Sequence, residues 1–112
     1  MAYGITDKSQ LIDYETIRRN CEQYKIILED FKKCGEEVVQ AGEACNQDAL
    51  SIDESTMQET IVELGVGIQN AAIAYANSAD QLVADAIKVY NAQVAELNEY
   101  LRRQSQQNSN SN

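Results

Sequence analysis

Across its 112 residues the chain contains no proline. Inside a helix a proline removes a hydrogen bond, clashes with the turn before it and costs about 3 kcal/mol. A chain of this length without one is free to run as very long helices, and the apolar pattern uses that freedom. From Tyr14 onward, apolar or small residues recur by threes and fours through Ile17, Cys21, Tyr24, Leu28, Phe31, Gly35, Val38, Gly42, Cys45 and Ala49. This is an unbroken a/d track, the spacing that holds one helix face against a partner. Asp13 precedes the track as a candidate N-cap, and Glu15 falls in the first turn, where the helix dipole favours a negative charge.

The pattern breaks in NQDALSIDESTMQ, where Asp48, Ser51, Asp53 and Ser55 offer cap or turn side chains. Ser51–Glu54 and Ser55–Gln58 both read as capping boxes. A second track follows through Met57, Ile61, Leu64, Ile68, Ala71, Tyr75, Ala79, Leu82, Ala86, Val89 or Tyr90, Val94, Leu97 and Leu101. The step from Tyr75 through Ala79 to Leu82 inserts a stutter, which would locally unwind a supercoil. The fold class expected is all-α, a two-helix antiparallel hairpin (helix-turn-helix). Residues 1–12 form an N-terminal extension, and 13–103 form the hairpin. Within it, helix 1 covers about 13–48, the turn about 49–54 and helix 2 about 55–103. The tail 104–112, QSQQNSNSN up to Asn112, is polar, of low complexity and expected to be disordered.

Folding near residue 51 pairs residue i with roughly 103 − i. Lys25 then lies near Asp80 and Arg18 near Asp85, and the Gly35–Gly42 stretch meets Gly65 and Gly67. Glycine in a helix costs about 1 kcal/mol against alanine. Either another backbone comes close at these positions, or the glycines are merely tolerated. The residues expected to carry partner packing are Tyr24, Leu28, Phe31, Gly35, Val38, Gly42, Ile61, Leu64, Ile68, Tyr75 and Leu82. A lone hairpin has one shared seam and no third layer. Ile12, Ile26, Val39, Val62, Val66, Ala72, Ile73, Val83 and Ile87 nevertheless remain as apolar residues outside it. That excess predicts assembly with a second hairpin into a four-helix bundle, as a homodimer or a heterodimer.

Charge and composition narrow the function classes. The net charge is −9, which argues against nucleic acid or an anionic membrane as the main partner, since both call for basic patches. Residues 34–87 carry ten acids and no base. That block is either a solvated surface that keeps an adhesive helix pair soluble or an acidic tip facing a basic partner. No apolar run approaches the ~20 residues of a membrane span, so membrane insertion is not expected. MAYGITDKSQLIDYE lacks the basic and apolar regions of a Sec-type signal peptide.

Cys21, Cys34 and Cys45 share one expected helix at separations of roughly 20 and 16 Å, too far for intrachain disulfides, and are expected as buried free thiols. An intermolecular bridge is the alternative. There is no His, so the usual ligand for zinc and the usual general base near neutral pH are both missing. Adjacent carboxylates such as Glu36–Glu37 point in different directions on a helix. The expectation is a non-enzymatic protein without cofactor, metal or catalytic residues.

This organisation resembles the small type VII secretion proteins of the WXG class and their LXG-toxin-associated helical partners. Those are Pro-poor, acidic helical hairpins of about a hundred residues that lack a Sec signal and pair as four-helix bundles. The resemblance covers about residues 10–103 and rests on architecture. The turn reads DALSIDEST, without Trp-x-Gly, which points to a divergent or toxin-partner branch. The class's Tyr-x-x-x-Asp/Glu export signal has no match after helix 2, where Tyr90 is followed at the fourth position by Val94 and Tyr100 by Gln104. Tyr3–Asp7 matches literally but at the opposite end.

What the resemblance implies is a protein that is cytoplasmic before export by a Sec-independent route. It would be exported as a dimer, or would serve as targeting partner or chaperone to the helical N-terminal domain of a larger effector. The secretion machinery would be a further partner. The alternative is a cytosolic helical adaptor or secretion chaperone that is not itself exported.

Overall fold

The computed structural model describes residues 4–45 and 52–110. A short 3-10 helix, Lys8–Gln10, precedes two long helices, α1 (Tyr14–Glu43) and α2 (Ile52–Asn110). Among the described residues there is no strand, and the architecture is an all-α antiparallel helical hairpin. Residues 21–80 form one compact unit; those up to 20 together with those from 81 onward form another.

In the unit of residues 21–80, the two helices run antiparallel in the register read from the sequence. Lys25 Nζ donates to Asp80 Oδ1 at 2.9 Å. Both side chains are well exposed, so this pair marks the register more than it stabilises it. Further toward the turn, Gly35 lies against Gly65 and Gln69, and Gly42 against Ile61 and Val62.

The buried line through this unit is a repeat of seven on both arms. Cys21, Gly35 and Gly42 on α1, with half-buried Leu28 between them, face Gly65 and Ala72 on α2, with half-buried Ala79 beyond. A strict heptad keeps a seam in one plane without interruption. The stutter at Tyr75–Ala79–Leu82 is therefore absent from the buried line: Tyr75 and Leu82 stand off it, while 65, 72, 79 and 86 keep the seven-residue step.

The structure places α1's end at Glu43, five residues short of the expected 48. Cys45 N–H donates to the Gly42 carbonyl at 3.3 Å, a tighter step than the helical one. Gln58 Nε2 donates to the same oxygen at 2.9 Å. No base stands in the last turn to favour continuation, and Glu43 itself opposes the dipole there. Gln58 thus closes α1 from the facing arm; Ser55–Gln58 is not a capping box, because helix α2 is already under way from Ile52. The expected turn at 49–54 and the Ser51 box lie largely outside the described residues, as does Ala49.

In the other unit, Asp13 caps α1 as expected, accepting from the Thr16 N–H at 3.1 Å and the Thr16 hydroxyl at 2.7 Å. These bonds hold its carboxyl below the ordinary carboxylate range. Tyr14 and Tyr90 pack ring on ring, with centroids 4.8 Å apart at a tilt of 56°. Arg18 bonds Glu15 on its own helix, while Asp85 accepts from Gln81 at 2.8 Å.

Residues 4–12 form a strap along α2. Ile5 N–H donates to Glu96 Oε2 and Ile12 N–H to Gln93 Oε1, each at 2.7 Å. Between them, Gln10 Oε1 accepts from the Thr6 N–H at 2.7 Å and from the Asp7 N–H at 3.0 Å, folding the strap on itself. Leu97, 5% exposed, is the largest of the buried apolar side chains among the described residues.

Helix α2 continues to Asn110, through most of the stretch expected to be disordered. Gln and Ser are tolerated in a helix, no Gly or Pro stops it, and Arg102 and Arg103 both bond Glu99 one turn back. The Arg102 and Arg103 guanidinium groups hold the Glu99 carboxyl down at about 2. Because that value is depressed, what the cluster adds to the folded helix is present above the ordinary carboxylate value and is lost as pH falls through about 2. An NMR pH titration of Glu99 should show its midpoint well below 4, and Arg102→Gln should move it back upward. A midpoint at the ordinary glutamate value in the unsubstituted chain would rule the cluster out.

Candidate packing surface

The expected packing residues divide into two groups by burial. Gly35 and Gly42 are buried in the intrachain seam, and Leu28, Val38, Ile61 and Ile68 are half-buried. Tyr24, Phe31, Leu64, Tyr75 and Leu82 are each more than half exposed. Each expected track thus contains two lines that lie side by side on its helix. The seam is made of small residues, and the bulky ones stand next to it.

In the unit of residues 21–80 these bulky residues fall on one flank. Tyr24, Ile27, Phe31, Cys34 and Val38 follow each other by threes and fours on α1, as do Met57, Ile61, Leu64, Ile68, Ala71 and Tyr75 on α2. Such spacing keeps each set on one side of its helix. The two sets share a side of the hairpin, because Phe31, Ile68, Ala71 and Tyr75 line one groove of about 310 Å³ together with Leu28 and Ala72. No charged residue lines it.

The opposite flank is different. There a smaller groove, of about 220 Å³, is lined by Lys25, Glu29, Lys32 and Asn77 beside Leu28, Ala72, Ile73 and Ala76. The charged side chains beside the seam therefore stand on this side of the helix pair, and the groove on the other side has none. A monomer in water rarely leaves a contiguous apolar patch of several hundred Å² uncovered unless it binds something.

Ala72 and Val83, expected among the apolar residues outside the seam, are 4% exposed and half-buried respectively. The signal that could have found the true line was the seven-residue step of small residues itself, Gly35 and Gly42 on one arm and Gly65, Ala72 and Ala79 on the other. Gly67, grouped with Gly65, is outside the seam, and a Cβ added there would meet nothing within 4 Å. Cys21 is buried as expected, but Cys34 and Cys45 are exposed.

Among the described residues, no group of three or more His, Cys, Asp or Glu side chains is placed to hold a metal ion, and no helix is long and apolar enough to cross a membrane. What the surface can do chemically is exclude water against another apolar surface. No protein-family model, no curated protein and no solved structure matches this chain.

Proposed function

We propose that this chain is a non-enzymatic packing module that binds another helix pair through the Tyr24–Phe31 and Leu64–Tyr75 flank and so completes a four-helix bundle. The observation that carries the reading is the placement of Tyr24, Phe31, Leu64 and Tyr75, each at least 55% exposed, on one charge-free side of an ordered hairpin. Aromatic and large aliphatic anchors grouped in this way carry most of the energy in helix-mediated interfaces.

In the finer reading, supported by architecture, the module belongs to a type VII secretion system. It would be exported as a dimer or would accompany a larger effector, its apolar flank covered by the partner and the composite surface shown to the secretion machinery. The experiment is to express the chain in its own host with and without the secretion ATPase, and to co-purify it with any helical effector domain encoded beside it. Expected are a complex sensitive to Leu64→Asp and ATPase-dependent appearance in the medium. A complex without export would leave a cytosolic helical adaptor, and a complex indifferent to Leu64→Asp would remove this flank as the docking surface.

A further inference from the structure

We infer that Ser105 is a phosphorylation site for an ATP-dependent kinase that reads Arg102 and Arg103, and that the phosphate draws Arg102 away from Glu99 and loosens the end of α2. The chain has three pairs of adjacent bases, Arg18–Arg19, Lys32–Lys33 and Arg102–Arg103. No Ser or Thr lies within the four residues after either of the first two pairs, whereas Ser105 is the second residue after the third. Residues 100–110 hold two bases and no acid, in a chain whose net charge is −9. A kinase with an acidic substrate groove is repelled by most of such a chain and attracted to this end, because charge complementarity sets which partner is accepted.

Ser105 is also accessible. It is exposed and lies within the last two turns of α2, which ends at Asn110. Helix ends open at little cost, so this segment can enter a kinase groove in extended form. Other hydroxyls are committed within the chain: Thr6 and Ser9 donate to Gln10 and Asp7, Thr16 to Asp13, and Thr60 and Ser78 to carbonyls one turn back. In the transfer the Ser105 Oγ attacks the γ-phosphorus of ATP. The new Oγ–P bond forms, the bond from that phosphorus to the β–γ bridging oxygen breaks to release ADP, and the hydroxyl proton passes to the kinase's catalytic carboxylate.

The phosphate then has a partner one turn back. Arg102 stands three residues before Ser105 on the same helix face, whereas Arg103, two residues before it, faces elsewhere. Arg102 donates to Glu99 at 2.6 and 3.0 Å, and Arg103 donates to the same carboxylate at 3.0 Å. A phosphoserine carries a charge of about −1.5 to −2 at pH 7 and three acceptor oxygens, more than one carboxylate offers. Arg102 moves to it, and Glu99 keeps Arg103 alone. Negative charge close to a helix C-terminus opposes the dipole, so the exchange leaves the last turns of α2 looser.

The test treats the full chain with ATP, magnesium and a serine/threonine kinase that prefers basic substrates. The mass should rise by one phosphate, and fragmentation of the tryptic peptide that starts at Gln104 should place it on Ser105. Arg102→Gln and Arg103→Gln should each slow the reaction by about tenfold or more, and Ser105→Ala should abolish it. In an NMR titration the Glu99 midpoint should be higher in the phosphorylated chain, since the Arg102 hydrogen bond is the main cause of its depression. In an Arg102→Gln chain the same modification should move that midpoint less. Protein isolated from its own host should carry the phosphate on the same peptide.

Lack of the phosphate in the host protein would overturn the site, as would a reaction indifferent to both arginines or one directed to another hydroxyl. An unmoved Glu99 midpoint would overturn the exchange at Arg102. Neither result touches the apolar flank, so the proposed function stands or falls separately.

Discussion

Replacing Gly65 by alanine should destabilise the hairpin by about 2 kcal/mol, although alanine is the better helix former by about 1 kcal/mol. A Cβ built on Gly65 would lie 2.7 Å from the Gly35 carbonyl oxygen, 2.7 Å from the Val39 backbone nitrogen and 2.6 Å from Val39 Cγ2. Two of those neighbours are backbone, so no rotamer change relieves the contact, and the helices themselves must move apart. The approach is reciprocal: a Cβ on Gly35 would lie 2.8 Å from the Gly65 carbonyl oxygen. Separating the arms at this level also loosens the contacts at Gly42, where Val62 Cγ2 would lie 2.9 Å from an added Cβ.

The internal control is Gly67→Ala, two residues further along the same helix. With nothing within 4 Å of its Cβ, the substitution should stabilise by about 0.5–1 kcal/mol. In thermal melts the two variants should move in opposite directions, Gly65→Ala down by roughly 10 °C and Gly67→Ala up by a few. Equal shifts of either sign would mean that propensity governs both sites and that the close approach has no energetic weight.

That pair of glycines also shows how far the sequence could be read. Helix content, the antiparallel register and the Asp13 cap all follow from short-range rules, and Lys25–Asp80 fits the register to within a residue or two. The phase of the seam did not follow, because bulky apolar residues are the usual sign of a core and here they flank it. A packing line of Gly and Ala is nearly silent on hydrophobicity, although its seven-residue step from Gly65 through Ala72 and Ala79 to Ala86 is plain once sought. Gln58 as a cap for α1 was not legible either. The Ser55–Gln58 spacing reads as a helix start, whereas the side chain serves a carbonyl sixteen residues earlier in the chain. The strap over residues 4–12 had no periodicity to announce it, and its anchors are backbone N–H groups, which carry no residue identity.

The strap makes the second large effect. Leu97→Ala should cost about 2–3 kcal/mol, the lower half of the range for a buried leucine because a two-layer structure can partly collapse onto the gap. Helix α1 begins at Tyr14, which stacks on Tyr90, and Leu97 stands seven residues beyond, about 10 Å further along α2. At that level the chain alongside is the strap, fixed by Gln93 at Ile12 and by Glu96 at Ile5, with Leu97 next to one anchor and one helical turn from the other.

The contribution of Leu97 should therefore depend on the strap. In a chain lacking residues 1–12, Leu97→Ala should cost below about 1 kcal/mol, giving a coupling energy of about 1–2 kcal/mol in a double-mutant cycle. Hydrogen exchange offers a local check, since removing the strap should speed exchange of α2 amides around residues 93–100 and leave those around Gly65 and Ala72 unchanged. If Leu97→Ala costs the same with and without residues 1–12, then Leu97 is covered by something other than the strap, and the N-terminal segment lies on α2 without stabilising it.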